Sequence, residues 1–398
     1  VRKAFVLRTT AVAAVAIAGL AACSNGSSSS NSGLGSGKSS GNASSNQTYK
    51  IGFQGALSGD NQQLGINEIN AVDLAIKQAN DSGKLPFKLV VVRSDDGGTA
   101  DKSPAAAAAL LQDNAVVGVV GPIFSGPTKA VGTTYAQAGM ALISPSATNP
   151  TLTSSGFTTF HRVAPPDSVE APQAADWLAK KAKKVFVLDD TTEYGKGAAD
   201  GVRKELAAKG ITPTNQSVAK GTQDYGAVAQ AVVSSGADAM FYGGYDADGA
   251  LLAKALVSAG FKGIAMGGNG VKSSVFTQNS GTAGDGWYFS CGCLDATVAP
   301  QAKDFAAAYK KAYNTDASTY SPEAYDATNA MIQAIKAAQS SGQVTRESVE
   351  KAVNALNYKG ITTTVKFEPN GEVQQQVINL YQQKTGKVLL VGDIQKAS

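Results

Sequence analysis

A single histidine, His161, serves the whole 398-residue chain, and cysteine occurs only at Cys23, Cys291 and Cys293. Chemistry that relies on a histidine base or a histidine-rich metal site therefore starts without its usual material. No GxSxG elbow between a strand and a helix, no HExxH pair and no cysteine–histidine couple is present, which disfavours a secreted enzyme. Charge of one sign is also lacking. Of the 35 basic residues, Arg2, Lys3 and Arg8 sit at the extreme start, leaving 32 against 31 acidic ones with no basic run, so nucleic acid is not an expected partner. Long apolar runs are scarce too: Thr9 to Leu20 is the clearest, and it is too short for a comfortable transmembrane helix.

What is there begins with "VRKAFVLRTTAVAAVAIAGLAACSNGSSSS". A basic start, an apolar stretch and small residues before Cys23 read as an export signal over residues 1–22. The "LAAC" end resembles the lipobox of bacterial lipoproteins, which implies cleavage before Cys23 and a diacylglycerol on its thiol; a plain signal peptide with an incidental cysteine is the alternative. Residues 23–48 are then expected as a tether. From Ser24 to Thr48, 20 of 25 residues are Ser, Gly or Asn, a composition that buries no core. Such a segment reaches roughly 25 to 30 Å on average. Within it "GLGSGKSS" imitates a phosphate-binding loop, but the first required glycine falls on Ser32 and no strand precedes it.

From Tyr49 onward, short apolar runs alternate with longer amphipathic ones. "YKIGFQGAL", "KLVVVRSD", "AVVGVVGP" and "MALISPS" read as buried strands separated by helices, and after "FHRVAPPDSVEAP" the pattern restarts with "KVFVLDD", "ADAMFYGG" and "GIAMGG". This order predicts an α/β fold of two doubly wound, flavodoxin-like lobes with parallel sheets. Three helices without strands, "APQAKDFAAAYKKAYN", "SPEAYDATNAMIQAIKAAQ" and "TRESVEKAVNAL", must cover a sheet made elsewhere, so the chain crosses between lobes more than once. The period-two tail from Thr362 to Asp393 reads as a β-meander.

In open α/β sheets, ligands sit beyond the carboxyl ends of strands. The strand "AVVGVVGP" leads to Ser125, Gly126 and Thr128, and "ISPSATNP" supplies Ser146 and Thr148, two neighbouring hydroxyl-rich ends suited to a carboxylate. Ordinary helix capping is the competing reading of the same residues. Tyr194, Tyr245 and Tyr325 stand at strand ends or helix starts, where a tyrosine offers an apolar wall with a hydroxyl.

"GALSGDNQQLGINEINAVDLAI", "VVGPIFSGPTKAV", "ISPSATNPTLT", "DDTTEYGKGAADGV", "DAMFYGGYDADGALLAKA", "MGGNGV" and "YSPEAYDATNAM", in this order, resemble the leucine/isoleucine/valine-binding family of type I periplasmic solute-binding proteins. The similarity runs from about Tyr49 to about Asp393. It implies a Venus-flytrap fold with a three-strand hinge: residues 49–164 plus 296–367 as one lobe, residues 165–295 plus 368–398 as the other. The crossovers fall near residues 161–167, 291–297 and 367–371. The resemblance implies an extracytoplasmic, lipid-anchored monomer that captures a branched-chain or other small amino acid and hands it to an ATP-binding-cassette permease and ATPase, with no cofactor or metal. A ligand sensor for a membrane kinase would use the same fold. Carried over residue by residue, the head-group contacts fall on Ser125, Ser146 and Thr148, the tyrosines on Tyr194, Tyr245 and Tyr325, and Phe124 joins the set.

Two positions depart from the family pattern. Leu64 stands where an aromatic often covers the ligand side chain, and Asn269 stands where an acidic residue meets the ligand ammonium. A neutral amide cannot neutralise a buried cation. Asp246, Asp248, Asp326 or Glu193 would then have to compensate, or the ligand is an amide or a small aliphatic or aromatic carboxylate. His161, on a crossover, reads as a packed hinge residue.

"FSCGCLD" holds Cys291 and Cys293 where the chain leaves the second lobe. After export, thiols so close are expected to pair, with free thiols as the alternative. In an extended strand residues two apart are about 6.5 to 7 Å apart, at the edge of disulfide reach, so Gly292 must bend. A metal site lacks further ligands, and a redox pair is usually spaced by two residues rather than one.

Overall fold

The computed structural model describes residues 47–397, so the expected export signal, Cys23 and nearly all of the expected tether lie outside the described residues. From Thr48 strands and helices alternate: β1 (Thr48–Gly55), α1 (Gln62–Asp81), β2 (Lys88–Asp95), α2 (Ser103–Gln112), β3 (Val116–Val120), α3 (Ser125–Gln137), β4 (Leu142–Ser144) and β5 (Phe160–Arg162). These five strands form one parallel sheet in the order β2-β1-β3-β4-β5. β3 reads VVGVV and is buried throughout, as a central parallel strand covered on both faces must be. Alternate side chains serve different layers: Ile143 packs in the cluster that holds Leu74 of α1, while Leu142 packs with Val131 and Tyr135 of α3.

The second series comprises α4 (Asp167–Ala179), β6 (Val185–Asp189), α5 (Glu193–Ala208), β7 (Thr214–Ser217), α6 (Gly226–Ser234), β8 (Ala239–Gly243), α7 (Asp246–Ala259), β9 (Ile264–Gly267), α8 (Ser274–Ser280) and β10 (Tyr288–Cys291). The same alternation recurs: Phe186 and Leu188 face one cluster, Val187 the other. The chain then returns through α9 (Lys303–Tyr313), α10 (Ser321–Ser340) and α11 (Arg346–Asn354). As the strand-free sequence required, these helices cover the first sheet; Met331 and Ile335 of α10 and Val349 of α11 share a cluster with Ile51 and Val120. The approach is close: a Cβ on Gly118 of β3 would lie 2.3 Å from the Met331 sulfur.

The tail only partly follows the expected meander. β11 (Tyr358–Lys359) and β12 (Thr364–Val365) make a two-residue pair, followed by a single bridge between Phe367 and Val373. The intervening turn is held against β5, since the Arg162 N–H donates to the Gly371 carbonyl at 3.1 Å. That anchoring ends the meander. The hairpin of β13 (Asn379–Lys384) and β14 (Lys387–Asp393) then joins the second sheet through antiparallel pairing of β13 with β10, giving the order β14-β13-β10-β9-β8-β6-β7. β14 is an edge strand with a bulge: Leu380 pairs with Gly392 but Tyr381 with Leu390, which leaves Val391 as the extra residue.

The chain passes between the sheets after β5, after β10 and before β13, and parts of all three crossovers (Val163, Gly292 and Gln375 among them) line one cleft. The Arg162 guanidinium is fully buried here. It pairs with the Glu372 carboxylate and donates from Nη1 to the Ala147 and Asn149 carbonyls, both at 2.9 Å. His161 is packed as well, its ring 4.8 Å from that of Phe367 and its nitrogens 3.3 Å from the Leu142 carbonyl and Asn354 Oδ1. The sulfurs of Cys291 and Cys293 lie 2.04 Å apart with Cα atoms separated by 5.1 Å, inside the extended spacing. The chain bends at Gly292, where a Cβ would come within 2.6 Å of the Pro165 ring.

Candidate functional site

Parallel strands place their carboxyl ends on one side of each sheet, and the two such edges face each other across a cleft. β3 runs into Phe124, the residue before α3, and β4 into Ser146; opposite them β6 leads to Tyr194 in the first turn of α5, β8 to Tyr245 before α7, and β9 to Asn269. Thr192 fixes the start of α5, its hydroxyl accepting the Gly195 N–H at 2.9 Å. A narrow cavity of only about 10 Å³ lies between these ends, lined by Leu64, Phe124, Ser125, Ser146, Tyr194, Tyr245 and Asn269 together with Glu68, Ile123, Gly270 and Tyr320.

Aromatic rings join the two walls. Phe124 meets Tyr245 edge-on at 5.1 Å between centroids, and Tyr245 lies 5.2 Å from Tyr194. Polar contacts close the rim: Asn61 Nδ2 donates to Asp246 Oδ1 at 2.9 Å, Asn149 Nδ2 to the Glu193 carbonyl at 2.6 Å, and Lys129 pairs with Glu193 at 2.8 Å. The cleft is thus shut. An outer groove, lined by Gly98, Thr99, Lys129 and Lys220, leads from Tyr245 to the surface.

Of the residues carried over from the family pattern, two do not line the cavity. Thr148 is buried behind it, its carbonyl accepting the Asp167 N–H at 2.8 Å. Tyr325 belongs to the first lobe's helix packing, against Phe305 at 4.8 Å and with its hydroxyl donating to Gln78 Oε1 at 2.6 Å. The tyrosine that reaches the cavity from this segment is Tyr320, immediately before α10. Five helical residues turn the side chain through roughly 140° beyond a full circle, which carries Tyr325 to another face.

The four acids proposed to offset a neutral Asn269 are also elsewhere. Asp246 accepts from Asn61, Asp248 from the Gly221 N–H, Asp326 from the Ile361 and Thr362 N–H groups, and Glu193 pairs with Lys129. Three other carboxyls, Glu170, Asp167 and Glu68, stand there instead. Glu170 of α4 accepts the Asn269 N–H at 3.1 Å and Ser290 Oγ at 2.8 Å on one oxygen, and Asn269 Nδ2 at 2.9 Å on the other. Burial, reinforced by the Asp167 charge, pushes Glu170 up to about 8, while Asn269 and Ser290 oppose the rise. Burial likewise pushes Asp167 up to about 7. Glu68 of α1 lines the cavity itself, and burial, with the Glu323 charge, holds its carboxyl well above the usual range against the lowering effect of Ser146. Its place was foreshadowed by its spacing: it follows Leu64 by four residues, so both share one face of α1. No comparable signal marks Glu170.

Hydroxyls, aromatic faces and buried carboxyls suit such a cavity to a small amphipathic molecule. Among the described residues no group of three or more histidine, cysteine, aspartate or glutamate side chains could hold a metal ion.

A family model for periplasmic binding proteins matches residues 48–387. The chain is 30% identical over 346 residues to Leu/Ile/Val-binding protein homolog 3 of Brucella melitensis, covering 85% of this chain and 92% of that one. It is 31% identical over 347 residues to Leu/Ile/Val-binding protein BraC3 of Rhizobium johnstonii, with the same coverage of 85% and 92%. Among solved structures, the branched-chain amino acid transporter substrate-binding protein LivJ of Streptococcus pneumoniae, in complex with isoleucine, superposes with a TM-score of 0.78 at 24% identity over 87% of this chain and 100% of that one. At that identity the likeness speaks for the fold.

Proposed function

This chain belongs to the leucine/isoleucine/valine-binding type I periplasmic binding proteins, and on that footing we propose that it is the extracytoplasmic solute-binding component of an ATP-binding-cassette importer, taking a branched-chain amino acid. The observation that carries the reading is the cavity shut between two strand-end edges, with polar groups and aromatic rings contributed by both. The family relation and the names of the relatives supply the solute class.

The first lobe (residues 49–164 plus 296–367) presents Ser125 and the start of α3 to the carboxylate, with Ser146 beside them. The second (residues 165–295 plus 368–398) brings Tyr194 and Tyr245 over the aliphatic part. Because the cavity is narrow as it stands, the lobes part to admit a ligand, and the contacts made only when shut drive closure. The closed form docks on the permease. We further infer that the monomer is held at the membrane by a lipid on Cys23, which keeps it near the permease at high effective concentration, and that Cys291 and Cys293 are oxidised and stiffen the second crossover. Mass spectrometry of the intact, unreduced protein reads both modifications.

A thermal-shift screen over amino acids, amides and small carboxylates tests the central claim. Leucine, isoleucine or valine at a hundredfold excess over Kd is expected to stabilise the protein by about 2.7 kcal/mol. Stabilisation only by molecules without an ammonium overturns the amino-acid reading.

A further inference from the structure

Asn269 brings no negative charge to a ligand cation, and only its amide oxygen could accept from one. Its backbone N–H and its amide N–H both donate to Glu170, and the Glu170 oxygens are filled by Asn269 and Ser290. Glu68 is in a different condition. It is 1% exposed and lines the cavity, yet its Oε2 has no hydrogen-bond partner in the protein. An unpaired oxygen in so dry a place is costly, and a donor from the ligand removes that cost. The hydroxyl of Tyr320, also on the cavity wall, is buried without a partner as well. No lysine or arginine lines the cavity to compete for Glu68.

The other oxygen of Glu68 reveals where its proton is. Ser146 Oγ lies 2.8 Å from the Ile123 carbonyl oxygen and 2.9 Å from Glu68 Oε1. A hydroxyl has one proton to give. When the carbonyl takes it, the second short contact needs a proton from Glu68, so the empty site favours a protonated carboxyl.

We propose that Glu68, rather than the residue at position 269, receives the ammonium group of the ligand. The inference rests on the reading that the ligand is an amino acid, and it specifies which wall of the cavity recognises the amine. A cation arriving at Oε2 ionises the carboxyl, and the displaced proton leaves to solvent. The ionisable groups around Glu68 are Glu323 of α10, Tyr320 before it, Tyr194 of α5, Tyr245 before α7, and Glu170 of α4 behind Asn269. Glu323, wherever it is itself ionised, raises the Glu68 carboxyl further.

Isothermal titration tests this with leucine, isoleucine and valine, each against the same molecule without its amine, such as 4-methylpentanoate for leucine. The wild type is expected to prefer the amino acid and to release about one proton per ligand bound, read from the dependence of the heat on buffer ionisation. Glu68→Gln is expected to weaken amino-acid binding about tenfold or more, to leave the amine-free analogue unaffected and to abolish proton release. Equal affinity of wild type and Glu68→Gln for the amino acid overturns the assignment of Glu68 alone. Absence of proton release from the wild type overturns it too, without requiring any variant to fold. If none of the three amino acids binds the wild type, the amino-acid reading itself falls and this inference with it.

Discussion

Asp167, Glu170 and Glu323 lose water on folding, and the donors they gain do not offset that loss. Burial pushes them up to about 7, 8 and 8 respectively, from the ordinary carboxylate value of about 4 in the unfolded chain. The folded protein therefore holds protons that the unfolded chain has already released. Stability is fully present below about pH 4 as far as these groups are concerned, and falls as pH rises towards their folded values. Each contributes a slope of up to about 1.4 kcal/mol per pH unit inside that window. Thermal melts are expected to show a lower Tm at pH 8 than at pH 5. Glu323→Gln, which keeps an acceptor for the Leu294 N–H, is expected to flatten that dependence; an unchanged slope refutes the assignment of the proton to Glu323.

At the level of elements, the crossovers are where polar groups carry structure. Arg162 is buried with its charge met by Glu372 and its remaining donors met by two loop carbonyls. Glu372→Ala strands that guanidinium, and the expected loss is about 3 kcal/mol, measurable by urea denaturation. A loss under about 1 kcal/mol would mean that water replaces the carboxylate. Elements of this sort were the least legible in the sequence. Runs such as VVGVV and VFVLD announce buried strands by composition, but β5 is three residues with a histidine and an arginine, and β7 is the polar edge strand TNQS. Neither has enough apolar side chain to reveal a period. Strand ends were easier. Ser125, Ser146, Tyr194, Tyr245 and Asn269 are gathered round one cavity because the sheet order dictates where strands stop. Helix phase was harder, as the exchange of Tyr325 for Tyr320 demonstrates, and Glu68 went unnoticed because an acid inside an amphipathic helix resembles a solvated one until its neighbours are placed.

Across the whole molecule, the shut cleft depends on few bonds. Besides ring contacts, Asn61 to Asp246, Asn149 to the Glu193 carbonyl, and Lys129 and Thr151 to Glu193 span it, and the Thr319 hydroxyl donates to the Lys272 carbonyl at 2.7 Å. Each neutral bond is worth about 1 kcal/mol, and the exposed ion pair less. Asn61→Ala is expected to shift the ligand-free protein towards a more open form, seen as a larger radius of gyration in small-angle scattering, with compactness restored by ligand. A radius unchanged by both the substitution and the ligand would count against hinge closure. The lobes themselves are expected to stay intact, because their cores do not share the rim contacts.

The edge strand β14 carries exposed Leu389, Leu390 and Val391, with Lys387 and Asp393 at its two ends. Set antiparallel against the same strand of another copy, its end charges would complement each other, an opening for two copies to pair edge to edge. The extra residue at Val391 spoils that opening. A ladder needs evenly spaced donors and acceptors, and the bulge puts the spacing out of step after Leu390. One surplus amino acid thus sets this apolar edge against pairing with its own kind.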